Sequence, residues 1–251
     1  MSVPVKDRQQ VIGAAPQGSA DERAAAVAVR EMFDEIAPRY DLLNHMLSMN
    51  VDRLWWWRTA RAFRSVLLRS DARALDLCCG TGDMAAALRR QAPAVEIVGA
   101  DFSRGMLTRG SRKFQLGRIE AVETDALCLP FPDESFDLVV SAFGFRNLAN
   151  YDAGLREIYR VLRPNGEVGI LDFSEPGGLL GKLYGFYFRN VLPKIGTMIS
   201  GVNGPYAYLP ASVSRFPSPD DMLGRMRIVG YRDVAWRPYT FGIAGLYCAA
   251  K

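Results

Sequence analysis

Length, composition and charge place this chain among globular proteins and exclude several other classes. Its 251 residues are 49% hydrophobic and 11% aromatic, which is enough apolar material for a substantial core and excludes an intrinsically disordered chain. Lys and Arg number 31 against 27 Asp and Glu, so the chain lacks the concentrated basic excess that nucleic-acid binding usually requires. The sequence therefore predicts no nucleic-acid partner.

The cysteines and the histidine give no sign of a metal site or a disulfide framework. The 4 cysteines include no CxxC pair, and His45 is the single histidine, so no zinc-ligand spacing is present and we expect no metal cofactor. Nowhere do 18 apolar residues run uninterrupted, and the N-terminus lacks a charged-then-apolar signal pattern. We therefore expect a reducing, cytoplasmic location.

The N-terminal third predicts a lead followed by helices. Residues 1–20 contain Gly, Pro, Ser and Gln without periodicity, which is typical of a disordered lead. Beyond them, apolar residues recur at helical spacing as far as about Arg69, with an interruption at Pro38. We expect residues 21–70 to form a helical cap on a single domain that spans residues 21–251.

After residue 72 the pattern alternates between short apolar strands and amphipathic helices. Such alternation predicts an α/β fold, in which right-handed crossovers place helices on both faces of a mostly parallel sheet. The segments RDVAWRPY and FGIAGLYCAA lie almost adjacent near the C-terminus and predict an antiparallel hairpin at the sheet edge. The predicted strands are 73–78, 95–100, 119–123, 136–142 and 166–173, and the predicted helices are 84–91, 104–114 and 151–162.

The stretch LDLCCGTGD (Leu75–Asp83) places a glycine-containing turn directly after the first predicted strand. Parallel sheets bind ligands at the carboxyl ends of their strands, and Gly80 and Gly82 allow the backbone to approach a ligand closely. Together with Ala85 they satisfy the loose dinucleotide-binding pattern G-x-G-x-x-G/A. Asp101 ends the second strand, where a carboxylate can accept hydrogen bonds from both ribose hydroxyls. These features predict a ligand of the adenosine type.

Asp83 indicates which adenosine ligand this is. In a dinucleotide site the helix N-terminus receives a pyrophosphate, which a carboxylate repels, whereas a carboxylate attracts a sulfonium and an ammonium. S-adenosylmethionine carries both of these cations and no phosphate. Asp125, just after the third strand, can accept a hydrogen bond from an adenine amino group. Two simpler interpretations stay open, in which Asp83 is a helix N-cap and Asp125 an ordinary turn aspartate.

Longer motifs extend the evidence over nearly the whole chain. They are FDEIAPRYDLLNHMLS (Phe33–Ser48), LDLCCGTGD, LPFPDESFDLVVSAFGFRNL (Leu129–Leu148), RVLRPNGEVGILDFSEP (Arg160–Pro176) and YAYLPASVSRFP (Tyr206–Pro217). In this order they resemble the ubiquinone/menaquinone biosynthesis C-methyltransferase family. The resemblance implies a class I methyltransferase fold, Rossmann-like with seven strands, and transfer of a methyl group from S-adenosylmethionine to a ring carbon of a prenylated quinol such as demethylmenaquinol. By matched position it places donor contacts on Thr81, Asp101, Asp125, Ala126 and Ser141.

The chain also departs from the pattern of that family. Asn50 and Asp52 stand where the family usually has a glycine and a histidine, Asp172 stands where it favours glutamate, and Tyr247 stands where histidine is common. We expect donor binding to survive these changes. The first and last departures fall in elements that we expect to cover the acceptor pocket, so they bear on which acceptor is used.

The chemistry of quinol methylation requires a stabilised oxyanion. A ring carbon becomes nucleophilic when its hydroxyl ionises, which for a phenol of pKa near 10 costs roughly 4 kcal/mol at pH 7. Just past the fourth strand, Arg146 and Asn147 offer donors for the oxyanion. Asp41, then His45 and Tyr206, are candidate bases, and water is another. The alternatives are that Arg146 is a structural ion-pair partner and that Asp41 and His45 cap a helix or lie in solvent.

Other functions stay open at this point. Methyltransferases that act on exocyclic amino groups of bases commonly have D/N-P-P-Y/F after the fourth strand, whereas this chain has SAFGF. This difference disfavours methylation of amino groups in nucleic acid. Methylation of a different phenolic metabolite, a nicotinamide-dependent oxidoreductase and a non-catalytic module that keeps the donor pocket are the remaining hypotheses. Asp83 and the terminal hairpin disfavour the oxidoreductase.

Residues 177–219 predict a lid inserted over the active site. This segment contains no Asp or Glu, and it combines Lys182, Arg189 and Lys194 with many aromatic residues. Basic and aromatic side chains together also suit an anionic membrane surface, where a prenylated acceptor resides. We therefore expect peripheral contact with the inner face of the membrane. The oligomeric state leaves no readable mark in the sequence.

Overall fold

The described part of the chain is built around one sheet. The computed structural model describes residues 12–16, 19–37, 50–174, 176 and 205–251, without the side chains of residues 205–207 and 209. Among these residues seven strands form a single sheet. The strands are β1 (Arg73–Leu77), β2 (Glu96–Asp101), β3 (Glu120–Glu123), β4 (Phe136–Ala142), β5 (Leu162–Phe173), β6 (Arg232–Tyr239) and β7 (Ala244–Ala250).

Helices flank the sheet, and several begin at side chains that cap them. Asp21, Ser103 and Asn150 each accept a hydrogen bond from a backbone N–H in the first turn of the helix that follows, which satisfies a donor that the helix itself leaves unpaired. The helices are α1 (Glu22–Ile36), α2 (Val51–Ala62), α3 (Arg64–Leu67), α4 (Asp83–Gln91), α5 (Arg104–Gly117), α6 (Tyr151–Val161), α7 (Pro205–Arg215) and α8 (Pro219–Val229).

The strand order is β3-β2-β1-β4-β5-β7-β6. The first five strands in sequence pair in parallel, and β7 lies antiparallel between β5 and β6. The predicted mostly parallel α/β sheet and its antiparallel C-terminal hairpin are confirmed. Because Phe173 at the end of β5 pairs with Ala244 at the start of β7, the turn between β6 and β7 lies at the carboxyl edge of the parallel strands.

Apolar cores cover both faces of the sheet. Successive residues of a strand point to opposite faces, so Ala74 joins the core beneath α2 and α4, while Leu75 and Leu77 join the core beneath α6 and α8. Phe63 packs so closely against β5 that position 169 needs glycine, because a Cβ there would lie 2.4 Å from the ring of Phe63. Helices on both faces leave the carboxyl edge free for a ligand.

The start of β5 and the predicted lead differ from the sequence prediction, and the other predicted bounds lie within three residues of the observed ones. Strand β5 begins at Leu162 and not at residue 166, because Leu162 pairs with Phe136 and the ladder resumes after an irregularity. The predicted disordered lead does not hold for residues 12–16. There the N–H groups of Gly13 and Ala14 donate to the carbonyls of Ala149 (3.0 Å) and Leu148 (2.7 Å), respectively.

Much of the predicted lid, and two predicted site residues, lie outside the described residues. Residues 177–204 of the predicted lid lie outside them, as do the candidate bases Asp41 and His45. Tyr206 falls in α7, but its side chain is not described. Within the described ranges, no helix has the length and apolar character needed to cross a membrane.

Candidate active site

The turn after β1 has the backbone conformation that its glycines allow. Cys78, Gly80 and Gly82 have φ values of 55°, 54° and 88°, in the left-handed region that favours glycine. At Gly82 a side chain is also excluded by space, because a Cβ would lie 2.4 Å from the ring of Phe114. The Gly80 N–H donates to Asp101 Oδ2 at 2.8 Å, which joins the ends of β1 and β2.

Asp101 is held at the end of β2 as an acceptor. Its Oδ1 accepts a hydrogen bond from the Ser103 N–H at 2.9 Å, in addition to the one from Gly80. Burial raises the pKa of Asp101 to about 6, although these backbone donors oppose the shift. A buried carboxylate without a cationic partner gains from further hydrogen-bond donors, and a pair of ribose hydroxyls supplies them.

A cavity opens at this edge of the sheet. Together with its mouth it encloses about 710 Å³, which lies within the usual range for small-molecule sites. None of the described residues that line it is Lys, Arg or His, and the charged ones are Asp101 and Asp125, so the side-chain charge of the described lining is negative and favours a cationic nucleoside over a pyrophosphate. Predicted site residues in the lining are Gly80, Asp101, Asp125, Ala126 and Asn147.

Asp125 has the contact of a turn aspartate and also lines the cavity. Its Oδ1 accepts a hydrogen bond from the Leu127 N–H at 2.9 Å, as in an ordinary turn. The same residue lines the cavity beside the buried Ala126, together with the apolar side chains of Phe102 and Met106. Apolar side chains and a carboxylate therefore line the same cavity, and the contact of Asp125 with adenine stays a prediction.

Asp83 forms an ion pair with Lys113, and its predicted contact with the donor stays a prediction. It is the first residue of α4, whose N-cap is Gly82, and its Oδ1 lies 2.8 Å from Lys113 Nζ. The charge of Asp83 is thus paired outside the cavity lining, and Asp101 and Asp125 supply the carboxylates that face the cavity. Thr81, Gly82 and Ser141 also lie outside that lining, so their assignment to donor binding stays a prediction.

Arg146 forms a buried ion pair. Its Nη1 lies 2.9 Å from Asp172 Oδ1, and its backbone N–H donates to Asp172 Oδ2 at 3.0 Å. Burial raises the pKa of Asp172, and the nearby guanidinium opposes this shift. The short aspartate at this departure from the family pattern therefore has a specific partner. The side chain of Arg146 does not line the cavity.

Asn147 reaches the cavity and has a partner that the sequence did not identify. The Tyr208 hydroxyl on α7 donates to Asn147 Oδ1 at 3.1 Å, and burial raises the pKa of Tyr208 to about 12, so the hydroxyl keeps its proton at neutral pH. Among the described residues no other hydrogen bond holds the side-chain amide. The Nδ2 donors of Asn147 are therefore free for a ligand.

Helix α1 supplies one wall, which the sequence analysis placed only in a general cap. Ala26 and Phe33 line the cavity. Asp34 Oδ1 accepts hydrogen bonds from Ser103 Oγ at 2.5 Å and from the Gly105 N–H at 3.0 Å. Asp34 was visible in the Phe33–Ser48 motif, but its partners Ser103 and Gly105 lie 69 and 71 positions away along the chain.

Comparison with known proteins agrees with this geometry. The sequence model of the ubiE/COQ5 methyltransferase family matches residues 18–251. This chain belongs to that family. It is similar to a demethylmenaquinone methyltransferase of Deinococcus radiodurans, with 49% identity over 92% of this chain and 95% of the relative. It is also similar to a demethylmenaquinone methyltransferase of Thermus thermophilus, with 47% identity over 86% and 98%.

Solved structures agree on the fold. An S-adenosylmethionine-dependent methyltransferase of Thermotoga maritima is similar with a TM-score of 0.63 and 18% identity, over 88% of this chain and 99% of that one. The [4+2]-cyclase SpnF is similar with a TM-score of 0.66 and 17% identity, over 97% and 99%. The ubiE/COQ5 chain described here is a class I methyltransferase that uses S-adenosylmethionine in quinone biosynthesis, and the family match favours this over a nicotinamide-dependent oxidoreductase.

Proposed function

We propose that this methyltransferase acts on a ring carbon of demethylmenaquinol. The observation that carries the proposal is that the described lining of the cavity combines the carboxylates of Asp101 and Asp125 with the amide of Asn147 and includes no basic side chain. The names of the Deinococcus and Thermus relatives support the choice of acceptor. When bound, S-adenosylmethionine supplies a methyl group that its sulfonium already activates, so no metal is required.

In this proposal the residues at the carboxyl edge hold the donor. Asp101 accepts hydrogen bonds from the ribose hydroxyls, for which Gly80 and Ser103 keep its carboxylate in place. Asp125 accepts from the adenine amino group beside Ala126 and Phe102. These contacts orient the donor, and orientation alone can lower a reaction barrier by several kcal/mol.

The acceptor end must lower the cost of ionising the quinol. The side-chain amide of Asn147 belongs to the cavity lining and can donate hydrogen bonds. A hydrogen-bond donor aimed at a developing oxyanion typically accelerates a reaction by about 100-fold or more. Arg146 precedes Asn147 in the chain, and its charge is paired with that of Asp172. This assigns to Arg146 more of a structural role than the sequence suggested. Asp41, His45 and Tyr206 stay candidates for the proton acceptor.

A direct assay tests this function. Purified protein is incubated with S-adenosylmethionine labelled on its methyl group and with demethylmenaquinol, a methoxy-benzoquinol or an unprenylated phenol, and the labelled position in the product is located. We expect label on a ring carbon of demethylmenaquinol, with Asn147→Ala reducing turnover and not donor affinity. Label on a phenolic oxygen, or preference for the simple phenol, would show that the acceptor is a different one.

The proposal also places the enzyme on the inner face of the membrane, because a prenylated quinol resides in the bilayer. Peripheral binding lets the quinol head enter the cavity while its tail stays in lipid. The basic and aromatic residues predicted in the lid, among them Lys182, Arg189 and Lys194, are one candidate contact.

A further inference from the structure

The outer face of α2 is basic and apolar at once. At about 100° per residue, its exposed residues fall within an arc of roughly 140°, and its buried residues occupy the opposite side. Leu54 and Trp57 are 50% and 47% exposed, which is high for large apolar side chains on a helix. The exposed residues are Arg53, Leu54, Trp57, Arg58 and Arg61.

The charge on this face has one sign. Arg53, Arg58 and Arg61 form no ion pair with any described residue, and Arg61 lies over the Trp57 ring at 5.5 Å. Asp52, the acidic residue of α2, is buried. An arginine-rich face without an exposed carboxylate attracts a dense negative surface.

A second apolar side chain extends this face. Phe241 lies in the turn between β6 and β7, with a φ of 58° and 82% exposure. The turn is fixed to α2, because Trp55 Nε1 donates to Thr240 Oγ1 at 2.8 Å and Arg58 lies over the Tyr239 ring at 4.3 Å. The fold thus holds a phenylalanine in solvent in a backbone conformation that bulky residues seldom adopt.

This surface lies beside the active-site cavity. The rings of Trp55 and Phe143 are 5.7 Å apart, and Phe143 lines the cavity. The turn that carries Phe241 sits at the carboxyl edge of the sheet, where the cavity opens. A partner on the surface therefore meets the molecule at the same edge of the sheet as the cavity.

We propose that Arg53, Leu54, Trp57, Arg58, Arg61 and Phe241 form the docking surface for an anionic lipid bilayer. Aromatic side chains settle at the level of the headgroups, and arginines bind the lipid phosphates. The inference rests on the proposed function for its biological purpose, because docking here lets the prenylated acceptor pass from the bilayer to the cavity. Binding itself depends only on the surface.

Vesicle sedimentation tests the surface with two variants. Trp57→Gln/Phe241→Asn removes the apolar side chains, with asparagine chosen because it tolerates positive φ, and Arg53→Ala/Arg61→Ala removes charge. We expect wild type to bind phosphatidylglycerol vesicles more than phosphatidylcholine vesicles, less so in high salt. We expect each variant to bind phosphatidylglycerol vesicles about 10-fold or more weakly.

Matched controls remove exposed apolar side chains and exposed arginines from other helices. Leu116→Ala/Ile228→Ala removes side chains that are 76% and 87% exposed, and Arg112→Ala/Arg227→Ala removes exposed arginines of α5 and α8. Both controls should bind like wild type. Equal binding by wild type and both α2-surface variants overturns the proposal, as does a loss of binding that occurs only when Lys182, Arg189 and Lys194 are replaced.

An activity assay separates this inference from the proposed function. With an unprenylated, water-soluble demethylnaphthoquinol, both α2-surface variants should turn over like wild type, whereas with demethylmenaquinol embedded in vesicles they should be slower. If wild type methylates neither acceptor, the proposed function fails while the vesicle result still stands. If wild type methylates both and the variants are equally active on both, the docking surface fails.

Discussion

Asp101 should make the affinity for S-adenosylmethionine depend on pH. Because its pKa is about 6 in the free protein, the residue takes up a proton as the pH falls from 7 to 5, and a protonated carboxyl has less acceptor capacity for ribose hydroxyls. The affinity for S-adenosylmethionine should therefore fall over that interval. Asp101→Asn should bind about 1 to 3 kcal/mol more weakly at pH 7 and show little pH dependence.

Titration calorimetry at pH 5 and pH 7 measures both the fall in affinity of the wild type and the weaker binding of Asp101→Asn. If Asp101→Asn keeps the full pH dependence of the affinity for S-adenosylmethionine, Asp101 is not part of the donor site.

The raised pKa of Asp101 has a second consequence, which concerns folding stability. The folded state binds this proton more tightly than the unfolded chain. Its contribution to stability is lost as the pH rises from about 4 to 6.

Tyr208 is a positioning residue for Asn147. Its hydroxyl donates to Oδ1, which fixes the orientation of the side-chain amide of a residue that lines the cavity. Tyr208→Phe should lower turnover by about 3- to 10-fold at unchanged donor affinity, the effect of one neutral hydrogen bond. If Tyr208 acts through Asn147, the loss should disappear in an Asn147→Ala background.

Steady-state kinetics of the two single variants and the double variant complete this cycle. Tyr247→Phe is a matched control, because the structure places Tyr247 in the core beneath α6 and α8 and outside the cavity lining, and its hydroxyl has no hydrogen-bond partner among the described residues. It should leave turnover unchanged. Additive losses in Tyr208→Phe/Asn147→Ala would mean that Tyr208 acts independently of Asn147.

At the scale of elements, one carboxylate docks α1 over the start of α5. Asp34 accepts from Ser103 and Gly105, while Ala26 and Phe33 of the same helix line the cavity. Asp34→Ala should therefore speed amide exchange in α1 about 10-fold, as loss of roughly 1.4 kcal/mol of local stability requires, and should weaken donor binding.

Hydrogen exchange followed by mass spectrometry resolves α1 from the rest of the chain. Glu35→Ala is the control, because Glu35 is exposed on the same helix and forms no hydrogen bond or ion pair among the described residues. Unchanged exchange in Asp34→Ala would show that apolar packing alone holds the helix in place.

The order of elements was readable from the sequence because it depends on local patterns. The predicted strand 136–142 matches β4 in both bounds, since a continuous apolar run between turn residues specifies a buried strand. Contacts between distant residues were not readable. Lys113 meets Asp83 from 30 positions away, and Tyr208 meets Asn147 from 61, and nothing in either local pattern encodes the pairing.

The cavity joins parts of the chain that are far apart in sequence. Its walls come from α1, from the turns after β1 to β4, and from Leu148 and Ala149. The carbonyls of these last two residues accept the hydrogen bonds of Gly13 and Ala14. A ligand that contacts these walls therefore stabilises the N-terminal residues and the sheet together, and not one local segment.

The stability of the whole molecule should respond to the donor specifically. A ligand at 100 times its Kd adds about 2.7 kcal/mol to the stability of the folded state, which for a chain of this size raises Tm by about 5 to 10 °C. Differential scanning fluorimetry should show this shift with S-adenosylmethionine or S-adenosylhomocysteine. NAD should give none, because Asp101 and Asp125 line the cavity and none of the described lining residues offers a basic side chain to the pyrophosphate. Asp101→Asn should reduce the shift at the same ligand concentration, while Glu35→Ala should keep it. A shift with NAD as large as that with S-adenosylmethionine would mean that the carboxylates do not select the ligand by charge.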